Sequence, residues 1–138
     1  MTERIVIDAW ALLAFLQGEE PAAAAVNELL GDAARNDLEL HASMINIGEV
    51  YYRVGRARGR EAADHVLAIL RVLPITIHRA DDDAVLAAAR WKTDHPISYV
   101  DAFAVSLSAS LGAELVTGNP ELWRLEGPVR IRRIHRRR

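Results

Sequence analysis

The sequence predicts an α/β fold of three layers, with a central, mostly parallel sheet between two layers of helices. Two observations carry this. Ile5-Val6-Ile7 is a β-branched run without polar alternation, the pattern of a strand buried on both faces of a parallel sheet, and it passes through Asp8 directly into helix-forming sequence. The same strand-to-helix alternation recurs along the chain, as it does where helices cover both faces of one sheet.

Asp8 ends the first strand and opens the helix Ala-Trp-Ala-Leu-Leu-Ala-Phe-Leu. Asp is a favoured N-cap, and strand ends are also where open α/β sheets place ligands, so the residue alone has two readings. Gln17-Gly18-Glu19-Glu20-Pro21 punctuates the chain before a second helix, from Pro21 to about Asp32. Leu38 to Ala42 alternates as the second strand, and Ser43 caps a helix from Met44 to about Arg58 that carries Asn46-Ile47-Gly48-Glu49 in its first turns. Gly55 and Gly59 bracket Arg56, Ala57 and Arg58, read as a basic turn leading to a helix from Arg60 to Val72. Its apolar positions Ala62, Val66, Ile69 and Leu70 keep helical spacing.

Pro74 begins the short strand Ile75 to His78. Asp81, Asp82 and Asp83 crowd the start of the helix Ala84 to Thr93, where negative charge complements the helix dipole, and they read as capping. Ser98 and Asp101 have capping-box spacing at the start of the most apolar helix, which runs to Leu111 and ends at Gly112. Ala113 to Thr117 is the next buried strand, and Gly118 to Trp123 a turn that starts a short helix. Val129 to Ile134 alternates with arginine, as an edge strand with a basic outer face does. Neither repeats nor a linker divide the chain, so residues 1–138 are expected to form one domain.

Cysteine is absent, which excludes disulfides, thiolate metal sites and cysteine nucleophiles. The N-terminus lacks a signal peptide and no stretch of about 18 uncharged apolar residues occurs, so a cytoplasmic protein without membrane contact is expected. The net charge of −2 hides an asymmetry: residues 128–138 hold six arginines (Arg130, Arg132, Arg133, Arg136, Arg137 and Arg138) and no acid. The remainder, with 11 basic and 19 acidic residues, carries −8. An acidic body with a basic tail offers separate places for cations and for a polyanion, although the last arginines read equally as a solvated terminus.

Parallel connections are right-handed, so strand-to-helix turns gather on one sheet edge. Asp8, Glu49, Asp101 and the turn from Thr117 to Glu121 all fall at such places. Each acid alone is explained as a cap. Three acids converging on one crevice repel one another unless a cation lies between them, which favours a metal site.

Four pieces together resemble PIN-domain ribonucleases and, within them, the VapC-type toxins of toxin–antitoxin pairs. They are the hydrophobic strand ending in Asp8, Asn46-x-x-Glu49 at a helix start, Ser98-x-x-Asp101-Ala102 opening another helix, and Thr117-Gly118-Asn119 after a core strand, in order over essentially the whole chain. The resemblance implies a PIN-like three-layer fold with Asp8, Glu49 and Asp101 as catalytic acids and metal ligands. It implies that Ser98, Thr117 and Asn46 hold carboxylates or waters in place behind them. The family's fourth acid is here Asn119, which ligates only through a neutral amide oxygen, and Glu121 is close enough in sequence to compensate.

Oxygen donors without histidine or cysteine suit Mg²⁺ or Mn²⁺. Such an ion activates water for in-line attack on a phosphodiester. The resemblance therefore implies an endoribonuclease leaving 5′-phosphate and 3′-hydroxyl ends, a cognate antitoxin and a homodimer. Arg53, Arg56 and Arg58, with Arg130 and Arg132 in the last strand, are the candidate RNA contacts, the first group reading equally as a solvated face or an antitoxin site. The five histidines show no metal spacing; Trp10, Trp91 and Trp123 read as core or interface, and Tyr51 or Tyr52 as partner-facing. The alternative function is an RNA- or partner-binding PIN fold that cuts weakly or not at all, supported by Asn119. A receiver-like domain fares worse, because it needs a late lysine and Lys92, the only lysine, lies mid-helix.

Overall fold

The computed structural model describes residues 2–137; Met1 and Arg138, the last of the tail arginines, lie outside the described residues. The elements are β1 (Glu3–Ile7), α1 (Ala9–Leu16), α2 (Ala22–Ala34), β2 (Leu38–Ser43), α3 (Met44–Arg58), α4 (Arg60–Val72), β3 (Ile75–His78), α5 (Asp82–Asp94), α6 (Tyr99–Leu111), β4 (Glu114–Thr117), α7 (Pro120–Trp123) and β5 (Ile131–Arg133). The strands form one sheet in the order β3-β2-β1-β4-β5, and every pairing is parallel. The mostly parallel sheet expected from sequence is thus parallel throughout the described strands.

The run Ile5-Val6-Ile7 is central because it has no polar side: all three residues have no exposed surface. Ile5 and Ile7 face one core with Leu12, Val26, Ile47 and Leu70, while Val6 faces another with Phe103, Leu115, Leu122 and Ile131. Each such side chain is worth about 1.5–3 kcal/mol when buried, so a slip of one residue, which exchanges the two faces, is strongly disfavoured. Ile5 therefore stays opposite Leu40 and Glu114, and the strand end at Asp8 is fixed.

The expected caps form. Ser43 accepts from the Ile45 amide, Asp81 from Ala84 and Ser98 from Asp101, and Gly112 ends α6 in the left-handed conformation. Two expectations are corrected. Residues 56–58 are not a turn but the last turn of α3, which runs through Gly55; the break falls at Gly59, whose φ of 93° only glycine adopts readily. The last strand is shorter than Val129 to Ile134, because only Ile131 to Arg133 reach β4. Beyond it the chain doubles back over the α1–α2 connection, where Arg136 bridges Pro21 and the Arg137 amide donates to the Glu20 carbonyl at 2.9 Å. Among the described residues no helix is long and apolar enough to cross a membrane.

Candidate active site

Because β1, β2 and β4 run parallel, Asp8, Ser43 and Thr117 emerge at one edge of the sheet. Asp8 serves as N-cap with only one oxygen: Oδ1 accepts from the Ala11 amide at 2.9 Å. Its Oδ2 is buried and has no hydrogen-bond partner. Burial pushes the Asp8 carboxyl up to about 7; the Thr117 hydroxyl and Ala11 amide oppose the rise, and the charges of Asp101 and Glu49 add to it.

Asn46 reaches from the first turn of α3 to α6, donating Nδ2 to the Val100 carbonyl at 3.0 Å. This bond holds Glu49, three residues on, beside Asp101, one residue past Val100. Burial raises the Asp101 pKa; the Ser98 hydroxyl works against it, and the charges of Glu49 and Glu121 reinforce it. Asn119 donates Nδ2 to Asp101 Oδ2 at 3.2 Å and caps α7 by accepting from the Glu121 amide at 3.1 Å. The Thr117 hydroxyl in turn accepts from the Asn119 amide at 3.0 Å. The reciprocal half of the capping box is thus given up, and the Asp101 carboxylate turns to Asn119 instead.

Glu49 is paired with Arg53, whose Nε donates to Oε2 at 2.9 Å. As the side chains lie, no three His, Cys, Asp or Glu residues among those described form a group that would hold a metal ion. The three acids feel one another's charge, yet Glu49 leans to Arg53 and Asp101 to Asn119.

Above them opens a cleft of about 880 Å³. Glu49, Asp101, Asn119 and Ser98 line it, along with Arg53, Arg56 and Tyr52 from α3, Trp10 from α1 and Arg136 from the tail. Arg56 lies over the Tyr52 ring at 5.3 Å and Arg136 over Trp10 at 5.3 Å. Arg58 does not line the cleft. Arg130 and Arg132 are not brought to it either. Arg130 donates to the Gly112 carbonyl at 2.6 Å, near the opposite sheet edge, and Arg132 is taken up by Glu114 at 2.6 Å and Glu3 at 3.4 Å. Arg130 precedes β5 and Arg132 lies within it, and both are bound near the start of β4, at the end of the sheet away from the acids.

Arg136 and Trp10 were not singled out for the cleft from sequence. The only signal was the position of Trp10 two residues after Asp8, since the return of the tail is not written locally. Tyr52 faces the cleft, whereas the Tyr51 hydroxyl donates to Asp64 at 2.6 Å. The histidines lie elsewhere: His41 bonds His78 at 2.8 Å and Glu39 at 3.0 Å.

Residues 5–127 match the PIN domain family. No curated protein matches the sequence. Among solved structures, the chain is similar to VapC20 of Mycobacterium tuberculosis, a Sarcin-Ricin loop cleaving toxin, with TM-score 0.72 and 17% identity over 88% of this chain and 95% of that one. VapBC2 from Rickettsia felis, bound to a fragment of its promoter DNA, gives TM-score 0.71 and 15% identity over 94% and 98%. DNA-bound VapBC from Salmonella typhimurium gives TM-score 0.66 and 18% identity over 96% and 98%. At these identities the likeness is one of fold.

Proposed function

The chain belongs to the PIN domain family, and on that footing we propose that it is a Mg²⁺- or Mn²⁺-dependent endoribonuclease, the toxin of a toxin–antitoxin pair. The observation that carries this reading is Asp8 Oδ2, a buried carboxylate oxygen without a partner, next to two further acids whose charges raise its pKa. A buried charge of this kind is costly unless something cationic meets it. An all-oxygen donor set fits a hard cation rather than zinc.

Asp8, Glu49 and Asp101 would hold the ion. Bound there, Mg²⁺ or Mn²⁺ supplies an activated water and offsets charge on the phosphate. Asp8 is oriented by the Ala11 amide, and Asp101 by Ser98 and Asn119. Glu49 must exchange Arg53 for the cation, which frees that guanidinium for a phosphate. With Oδ1 committed to the Glu121 amide, Asn119 acts on Asp101 through its nitrogen, and direct ligation would cost the cap of α7. Glu121 is exposed and acts on Asp101 through charge.

Residues 1–138 act as one domain in the cytoplasm, where RNA is met. Two of the similar structures named above are VapBC complexes, which supports an antitoxin partner. A homodimer through α3 and α4 would cover Val72, which is exposed here and lies outside the cleft. The alternative, a PIN fold that binds RNA or a partner and cuts weakly or not at all, is favoured by the Glu49–Arg53 pairing and by Asn119 in place of an acid.

Cleavage of a panel of structured RNAs against Mn²⁺ concentration, with Asp8→Asn as blank, separates the two. Metal-dependent cleavage lost in the blank supports the nuclease; binding without cleavage supports the alternative. Calorimetry with Mn²⁺ tests the ligands, since Asp101→Asn that stays folded and binds as tightly as the parent removes Asp101 from the set.

A further inference from the structure

Resting on the nuclease reading, we infer that Arg136 of the C-terminal tail binds a backbone phosphate of unpaired RNA crossing the cleft, and that Trp10 positions it. The floor of the cleft is acidic, so a phosphodiester strand approaches it only where the rim supplies cations. Three arginines line that rim, and two of them, Arg53 and Arg56, come from α3. Arg136 is the third and stands on the α1 side, so a strand held by all three passes over Asp101 and Glu49 rather than alongside them.

Three other tail arginines are differently placed. Arg130 and Arg132 are committed to Gly112, Glu114 and Glu3, and Arg133 lies over Trp123 at 5.1 Å. Arg136 is brought to the cleft by the backbone, through its bridge to Pro21 and the Arg137–Glu20 hydrogen bond. Its guanidinium carbon lies 5.3 Å from the Trp10 ring centroid, and only Nη1 is engaged by Glu19, at 3.4 Å from both carboxylate oxygens in a partly solvent-facing pair. A cation held over an aromatic face spends no N–H group on that contact, which leaves donors for phosphate oxygens.

Trp10 is itself held. A Cβ at Gly118 would lie 2.2 Å from the indole, so the absence of a side chain there lets the ring lie against the β4–α7 turn. The tail, α1 and the strand end next to Asn119 are thereby locked in one arrangement. Asp8 is only 2% exposed and does not itself line the cleft, so a phosphate must come down into the site, which the splayed backbone of an unpaired strand does more readily than a regular A-form duplex.

The test is fluorescence anisotropy of a labelled single-stranded oligonucleotide in EDTA, which prevents cleavage, across a KCl series. Arg136→Gln should weaken binding about fivefold regardless of base sequence, and lower the salt slope by about 0.7. Arg136→Lys should keep the slope and recover part of the affinity, and Trp10→Leu should weaken binding while leaving calorimetric Mn²⁺ affinity unchanged. Arg136→Gln that matches the parent in affinity and slope overturns the inference alone. So does a variant that only loses thermal stability, or one that loses antitoxin binding and keeps RNA. A parent that binds no RNA in EDTA overturns this inference, while the nuclease reading falls separately, on the absence of Mn²⁺-dependent cleavage.

Discussion

Asn119 gives its amide nitrogen to Asp101 Oδ2 across 3.2 Å while its amide oxygen holds the Glu121 backbone at 3.1 Å. A neutral residue therefore does two jobs that an acid does only in part. It keeps the cap of α7 and donates a hydrogen bond to a carboxylate already pressed by Glu49 and Glu121.

Asn119→Asp should preserve the cap, remove the donor and set a second charge beside Asp101. The metal-free variant should lose about 1.5–3 kcal/mol, the range for a hydrogen bond to a charged group. Mn²⁺ should restore more stability to it than to the parent. Thermal unfolding with and without Mn²⁺ measures both, and a variant as stable as the parent in EDTA would refute the account.

Arg53 competes with a cation for Glu49. Arg53→Gln frees the carboxylate and removes a positive charge from the site, so Mn²⁺ should bind at least about twofold more tightly, in line with the small worth of an i,i+4 ion pair. RNA affinity should move the opposite way. Calorimetry and anisotropy on the same variant check the pair of signs, and equal shifts in one direction would contradict the exchange.

Asp8, pushed up to about 7 by burial against 3.8 for a free carboxyl, makes stability fall with rising pH. The folded state holds the proton more tightly than the unfolded one, so this contribution is fully present below about pH 4 and lost as pH rises to about 7. Its size is on the order of a few kcal/mol. Asp8→Asn should then be more stable than the parent at pH 8 in EDTA, with the gap closing toward pH 4. Urea unfolding at several pH values tests it; a gap independent of pH would show that Asp8 is ordinary.

Gly118→Ala places a methyl 2.2 Å from the Trp10 ring without backbone strain, since the position does not have a left-handed φ. Overpacking of this kind costs about 1–3 kcal/mol. The displaced indole should change the tryptophan fluorescence and carry Arg136 with it, weakening RNA binding in parallel with Trp10→Leu. An unchanged emission spectrum would place the ring elsewhere.

Much of this protein was determined by neighbouring residues alone. The apolar triplet before Asp8 makes a central strand, Ser43, Asp81 and Ser98 make caps within three residues, and parallel connections carry the three acids to one edge. The end of α3 at Arg58 was legible, but residues 56–58 were read as a turn because Gly55 looks like a breaker locally; in the fold it lies against α4, where a Cβ would meet Ala63 at 3.6 Å. Tertiary structure decided what each acid touches and which arginines serve the cleft. Arg136 meets Glu19 across 117 positions of chain, and Arg132 meets Glu3 across 129. Such pairings follow from how the sheet closes and where the tail returns, and no local propensity encodes them.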